Sequence, residues 1–91
     1  MPHGWHAPRA WLKDALCVHA HEGAWNDPGP PYEGGLQFLL STWLSVGGVV
    51  HGAHWASVAS PREQLYRAWL VWLRDGRSWH EWGTAGVCGL R

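Results

Sequence analysis

Apolar residues recur at helical spacing in two long stretches of this chain, and turn residues separate them. In the first, Trp11, Leu12, Ala15, Leu16 and Val18 form a stripe with a period near 3.6, which predicts a helix from Pro8 to His21, with Glu22 at its end. Pro8 suits the first helical position, where its missing N–H costs nothing. Gly23 follows in the place of a C-cap glycine. In the second, Leu65, Ala68, Trp69 and Trp72 recur at three- and four-residue spacing, with Leu73 beside them. Ser60 precedes that helix as N-cap, Pro61 opens it, Glu63 completes a capping box, and Gly76 closes it. Its apolar face is expected to pack on the first helix.

Between these helices the pattern is weaker. Asn26-Asp27-Pro28-Gly29-Pro30-Pro31 is turn chemistry that excludes a helix. Gly34 to Phe38 reads as a short extended segment, and a further short helix is expected from about Leu40 to Val46, ending at Gly47-Gly48. Val49 to Ala59 reads as a linker, Trp79 to Leu90 as an irregular tail, and residues 1–7 as a flexible arm before a single domain, 8–91. The fold class is mainly α, an α+β fold with minimal strand.

Composition sharpens this picture. A domain of 91 residues buries a modest core and benefits from extra stabilisation. Nine Trp supply large buried areas. Cys17 and Cys88, one near each end, fit a disulfide and an oxidising compartment, two free buried thiols being the alternative. Seven basic and seven acidic residues balance, so the electrostatic footprint of a nucleic-acid binder is missing. No apolar run has the length of a membrane span, and no secretion signal is recognisable in the chain.

One acid stands out. Glu22 ends an amphipathic helix next to Trp25 and faces a Gly- and Pro-rich loop. Burial against aromatic surface is how a carboxyl group stays protonated to act as a general acid. The sequence Glu22-Gly23-Ala24-Trp25-Asn26, then Gly34-Gly35-Leu36-Gln37-Phe38, Ser41-Thr42-Trp43, Ser60-Pro61-Arg62-Glu63-Gln64, Trp79, Trp82 and Cys88-Gly89, resembles the resuscitation-promoting-factor and transglycosylase-like domains. The resemblance runs from Trp11 to Leu90. It implies a small lysozyme-like fold with three main helices around a substrate cleft and one disulfide. It also implies an enzyme that cuts peptidoglycan glycan strands, acting as a monomer at the cell wall or outside the cell and needing no cofactor.

By that resemblance Glu22 is the catalytic acid, and Trp25, Tyr32, Gln37 and Thr42 contact the sugars. Thr42 stands near the position of a second carboxylate in true lysozymes. Glu33 and Asp27 are the candidates for such a carboxylate in this chain; solvated loop charge is the plainer alternative for both. With no second carboxylate the expected reaction is lytic transglycosylation, giving a 1,6-anhydro sugar; with one, hydrolysis. A Trp-rich wall-binding module without activity is the alternative from a different class. A physiological role in resuscitation, wall turnover or phage lysis stays open. Trp43, Trp69 and Trp72 are expected in the core. The histidines do not suggest a metal site: His19 and His21 fall on different sides of a helix, and Trp25 stands where His-Glu-x-x-His needs its second His.

Overall fold

The computed structural model describes residues 1–91. Helix α1 spans Arg9–Glu22, strand β1 Tyr32–Glu33, strand β2 Phe38–Leu39, helix α2 Leu40–Ser45 and helix α3 Pro61–Arg74, with short 3-10 turns at Ala56–Val58 and Ala85–Cys88. The class is the expected small, mainly helical α+β fold. None of its helices is long and apolar enough to cross a membrane.

Helix α1 buries Trp11, Ala15 and Val18, one face of the helix. The helix also lies against the C-terminal 3-10 turn. The disulfide Cys17–Cys88 locks the two together across a sequence separation of 71 residues. Closing a loop of that length stabilises the fold by about 4 kcal/mol in the chain-entropy model.

Helix α3 is capped as expected at Ser60, whose hydroxyl accepts from Glu63 N at 3.0 Å. The reciprocal half of the capping box is replaced, because Glu63 pairs with Arg67 at 2.5 Å. The fully buried stripe of α3 is Gln64, Ala68 and Val71. Trp69 and Trp72 are only half-buried. They meet α1 through edge contacts with Trp11. Of the three tryptophans expected in the core, Trp43 alone is fully buried.

The segment Gly34–Phe38 is not a strand. Tyr32 pairs with Leu39 and Glu33 with Phe38 in a two-residue antiparallel ladder, and Gly34 to Gln37 form the turn between them. The turn is crowded. Gly35 lies so close to the Trp25 ring that a Cβ there would come within 2.3 Å of it. Gly23 is extended rather than left-handed. Its use is space: a Cβ would sit 2.8 Å from Gln37 Nε2.

Three indole N–H groups fasten loops to the core. Trp43 donates to the Val49 carbonyl, Trp55 to Phe38 and Trp82 to Leu36, at 2.8–3.0 Å. Gln64 does the same from α3. It accepts from Gly35 N and donates to the carbonyls of Trp25 and Ala59. Each of these bonds satisfies a backbone group, and all but the Phe38 carbonyl lie in loops or turns. At the N-terminus, Trp5 packs edge-on against Tyr66, and its carbonyl accepts from the Arg62 guanidinium.

Candidate active site

Glu22 continues the face of α1 that carries Trp11, Ala15 and Val18. Steps of four, three and four residues keep the positions aligned, so the last residue of the helix turns inward. Its Oε2 accepts a 2.9 Å hydrogen bond from Thr84 Oγ1. Its carboxylate, with Tyr32, Gln37, Glu81 and Gly83, lines a cavity of about 300 Å³. A smaller hollow of about 100 Å³ adjoins it, sharing Tyr32, Gln37 and Glu81 and adding Leu39, Thr42 and Trp82. Together they form one cleft with Glu22 at one end and Thr42 at the other.

Local structure explains who reaches this cleft. Strand alternation points Tyr32 and Leu39 outward and Glu33 and Phe38 inward. Gln37 holds a left-handed backbone, φ 49°, at the end of the turn. Its Nε2 donates to Asp27 Oδ2 at 3.0 Å and to the Gly34 carbonyl at 2.9 Å. That leaves its carbonyl oxygen as an acceptor for a ligand. The other oxygen of Asp27 accepts from Gly29 N. Asp27 is therefore a brace for Gln37.

The structure brings Glu22, Tyr32, Gln37 and Thr42 together. Trp25 stays outside the cleft wall: it stacks on His19 with ring centres 3.8 Å apart, and His19 Nδ1 bonds the Gly35 carbonyl. Glu33 is also outside. It is 1% exposed, and its carboxylate is held by Trp55 N, Ser57 N, Ser57 Oγ and His54 Nδ1. Burial opposes its ionisation, but the bonds from Trp55, Ser57 and His54 outweigh it and hold the pKa below the ordinary 4.5.

Two residues of the cleft carry no signal in the sequence pattern, Thr84 and Glu81. Both come from the irregular tail. Glu81 Oε2 accepts from Arg74 Nη2 at 2.7 Å, while Arg74 also reaches Asp75 and Ser45. The neighbouring Asp75 carboxylate, together with burial, raises the Glu81 pKa against the pull of Arg74. Asp75 moves the opposite way: burial opposes ionisation, but Glu81, Arg74 and His80 hold its pKa below the ordinary value.

Asp75, His80 and Glu81 bring ligand atoms within 4.8 Å of one another. The Arg74 guanidinium on both carboxylates already supplies the positive charge a cation would bring. Cys17, His21 and Cys88 also converge, with both sulfurs oxidised in the disulfide. A hollow of about 330 Å³ between Met1, Val49, Glu63 and Arg67 is separate from the cleft, and its acid is already paired.

With an inward carboxylate, a braced amide and an exposed tyrosine around one cavity, the motifs can be compared with known families. The transglycosylase-like domain model matches residues 8–85. This chain belongs to that family. It is also 36% identical over 70 residues to the resuscitation-promoting factor Rpf of Micrococcus luteus, covering 76% of this chain and 29% of that protein. The chain thus spans less than a third of that relative's length. Within the family match lie all the cleft residues, Glu22 through Thr84.

Proposed function

We propose that this domain cleaves the β-1,4 bond between N-acetylmuramic acid and N-acetylglucosamine in peptidoglycan, as a lytic transglycosylase. The observation that carries this is Glu22: one oxygen fixed by Thr84, the other unbonded, and both beside an open cavity. Glu22 protonates the glycosidic oxygen as the C1–O bond breaks. The resulting carboxylate then takes the proton of the muramic acid C6 hydroxyl, whose oxygen bonds to C1. The product is a 1,6-anhydro sugar, and Glu22 returns to its starting state.

The other residues bind. Tyr32 offers a ring face to the C–H face of a sugar. Gln37 accepts a hydrogen bond from an N-acetyl N–H or a hydroxyl, and Thr42 serves the far end of the cleft. The glycan strands are the partner, the domain works as a monomer, and it acts in the wall or outside the cell. The test is turbidity clearing of purified walls by wild type and by Glu22→Gln. The amide keeps size but has no proton to give, so clearing should fall about a hundred- to ten-thousand-fold. A variant retaining more than about a tenth of the rate, well short of that range, would remove Glu22 from the chemistry.

One observation favours a second reading, hydrolysis. Glu81 places another carboxyl in the cavity of Glu22, where neither Glu33 nor Asp27 stands. In that reaction Glu22 protonates the glycosidic oxygen as the C1–O bond breaks, while a water loses its proton to Glu81 and its oxygen bonds to C1. Mass analysis of the digest separates the two: anhydro ends are one water lighter than reducing ends. Reducing ends that vanish in Glu81→Gln would assign the base.

A further inference from the structure

The cleft is not the only cavity with the makings of a ligand site. A hollow of about 370 Å³ lies between the start of α1 and the end of α3, with Trp11, Asp14, Trp69, Trp72 and Arg77 among its lining residues. It shares no residue with the cleft. Asp14 and Glu22 are both on α1, separated by roughly 12 Å at 1.5 Å per residue.

Four features set this hollow apart from incomplete core packing. Its volume falls in the usual range of small-ligand pockets, about 300–1,000 Å³. Trp69 and Trp72 stack with centres 5.2 Å apart and an angle of 25°, and both remain partly exposed, so a stacked indole pair lines the hollow. Trp11, 5% exposed, adds a third indole to the lining, edge-on to the other two. Asp14 and Arg77 bring an acid and a base to the lining, and neither side chain is used in an ion pair or hydrogen bond within the chain.

The backbone adds a fifth feature. Arg77 is left-handed, φ 61°, directly after Gly76 at φ 72°. A β-carbon disfavours that conformation, and glycine would adopt it freely. The chain keeps an arginine where its backbone favours glycine, and the guanidinium lines the hollow. Strain of this kind points to a use for the side chain.

We propose that this hollow is a second glycan-binding site, in which a pyranose ring of the strand packs against the stacked Trp69–Trp72 pair. The apolar C–H face of the sugar packs on the indole surface that the stack leaves exposed. Asp14 accepts from hydroxyls and Arg77 donates to hydroxyl or acetamido oxygens. One acid and one base suit a neutral sugar better than a polyanion. The class of ligand rests on the peptidoglycan reading above. A site away from the cleft would hold the domain on an insoluble polymer between cuts, by raising the effective concentration of strand near Glu22.

The test uses the full chain carrying Glu22→Gln, which stops turnover. The N-acetylglucosamine tetramer is titrated in while the indole N–H signals of the tryptophans are followed by NMR. Trp69 and Trp72 should shift along a saturable curve distinct from that of Trp82 in the cleft. Asp14→Asn and Arg77→Gly should each weaken that curve roughly three- to tenfold, the effect of one lost hydrogen bond, and leave the cleft curve unchanged. Arg77→Gly should keep or raise the melting temperature, so its loss of binding is not unfolding. Shifts confined to cleft residues would overturn the second site and leave the Glu22 reading intact. Shifts at Trp69 and Trp72 with no wall cleavage by wild type would keep the site and overturn the catalytic reading. Concentration-dependent shifts there without sugar would assign the hollow to a second copy of the chain and overturn the proposal.

Discussion

Glu33 and Glu22 are both candidate cleft acids by sequence, and the structure uses them in opposite ways. Glu33 follows Tyr32 in β1, so strand alternation sends it into the core while Tyr32 faces out. There it receives bonds from Trp55, Ser57 and His54, and it pins the loop after α2 to the hairpin. Glu22 ends a helix and faces a cavity, with Thr84 as its single donor. A carboxylate whose oxygens are saturated by the fold has little left for a substrate. One with a spare oxygen beside an open cavity is free to exchange a proton. Saturation of the oxygens, more than burial, separates the anchor from the candidate acid.

The comparison predicts a crossed pair of phenotypes. Glu22→Gln should lose about a hundred- to ten-thousand-fold in cleavage and keep its melting temperature. The next effect concerns the bridge. Cys17 shares α1 with Glu22, and Cys88 shares the tail with Thr84, so the disulfide holds the two sides of the acid's only hydrogen bond. Replacing both cysteines by Ala should cost about 4 kcal/mol of stability in denaturant unfolding. Hydrogen exchange should rise first in residues 84–90 and least in the loop that Glu33 holds. Equal loosening of both regions would mean that the bridge acts on the unfolded chain alone.

Glu33→Gln should reverse the phenotype of Glu22→Gln. It should lose roughly 1.5–3 kcal/mol of stability, the range for bonds to a charged group, while the folded fraction keeps its activity. The pH dependence has a definite sign. The folded-state pKa of Glu33 lies below its ordinary 4.5, so its contribution is fully present above that value and is lost as pH falls through the folded pKa. The stability gap between wild type and Glu33→Gln should therefore close as pH falls below 4.5. A gap constant with pH would mean that the carboxylate is not the stabilising form.

The anchors were more legible in the chain than the cleft. Helix α3 announces itself because Ser60, Pro61 and Glu63 carry start signals that act locally. The inward turn of Glu22 follows from the spacing of Trp11, Ala15 and Val18. The bridge follows from a cysteine count. The hairpin is different. Two-residue strands are too short to show alternation, so Gly34 to Phe38 reads as extended although most of it is the turn. Nothing in that reading reveals that Glu33 points inward. Thr84 and Glu81 lie in a tail whose course is fixed by long-range contacts, such as the disulfide and the Trp82 bond to Leu36. Such contacts leave no periodic trace. The resemblance implies a sugar contact for Trp25, but the crowding of Gly35 and the His19 ring hold it outside the cleft wall.

The smallest effect tests the comparison most closely, through two hydroxyls. Ser57 Oγ donates to Glu33 Oε1 at 2.7 Å, and Thr84 Oγ1 donates to Glu22 Oε2 at 2.9 Å. Each bond carries a net contribution of about 0.5–1.5 kcal/mol, or up to about twice that with a charged acceptor. The sites differ in what the loss touches. Removing Ser57 Oγ leaves Glu33 bonded to Trp55, His54 and the Ser57 backbone, so Ser57→Ala should cost roughly 1 kcal/mol of stability with cleavage unchanged. Removing Thr84 Oγ1 leaves Glu22 with no donor. Thr84→Val keeps the shape and frees the carboxylate to leave its orientation toward the cleft. It should lower kcat roughly two- to tenfold with little change in melting temperature, and Thr84→Ser should restore most of the rate. If Thr84→Val lost stability and kept its rate, the hydroxyl would be a structural tie and Glu22 would resemble Glu33 after all.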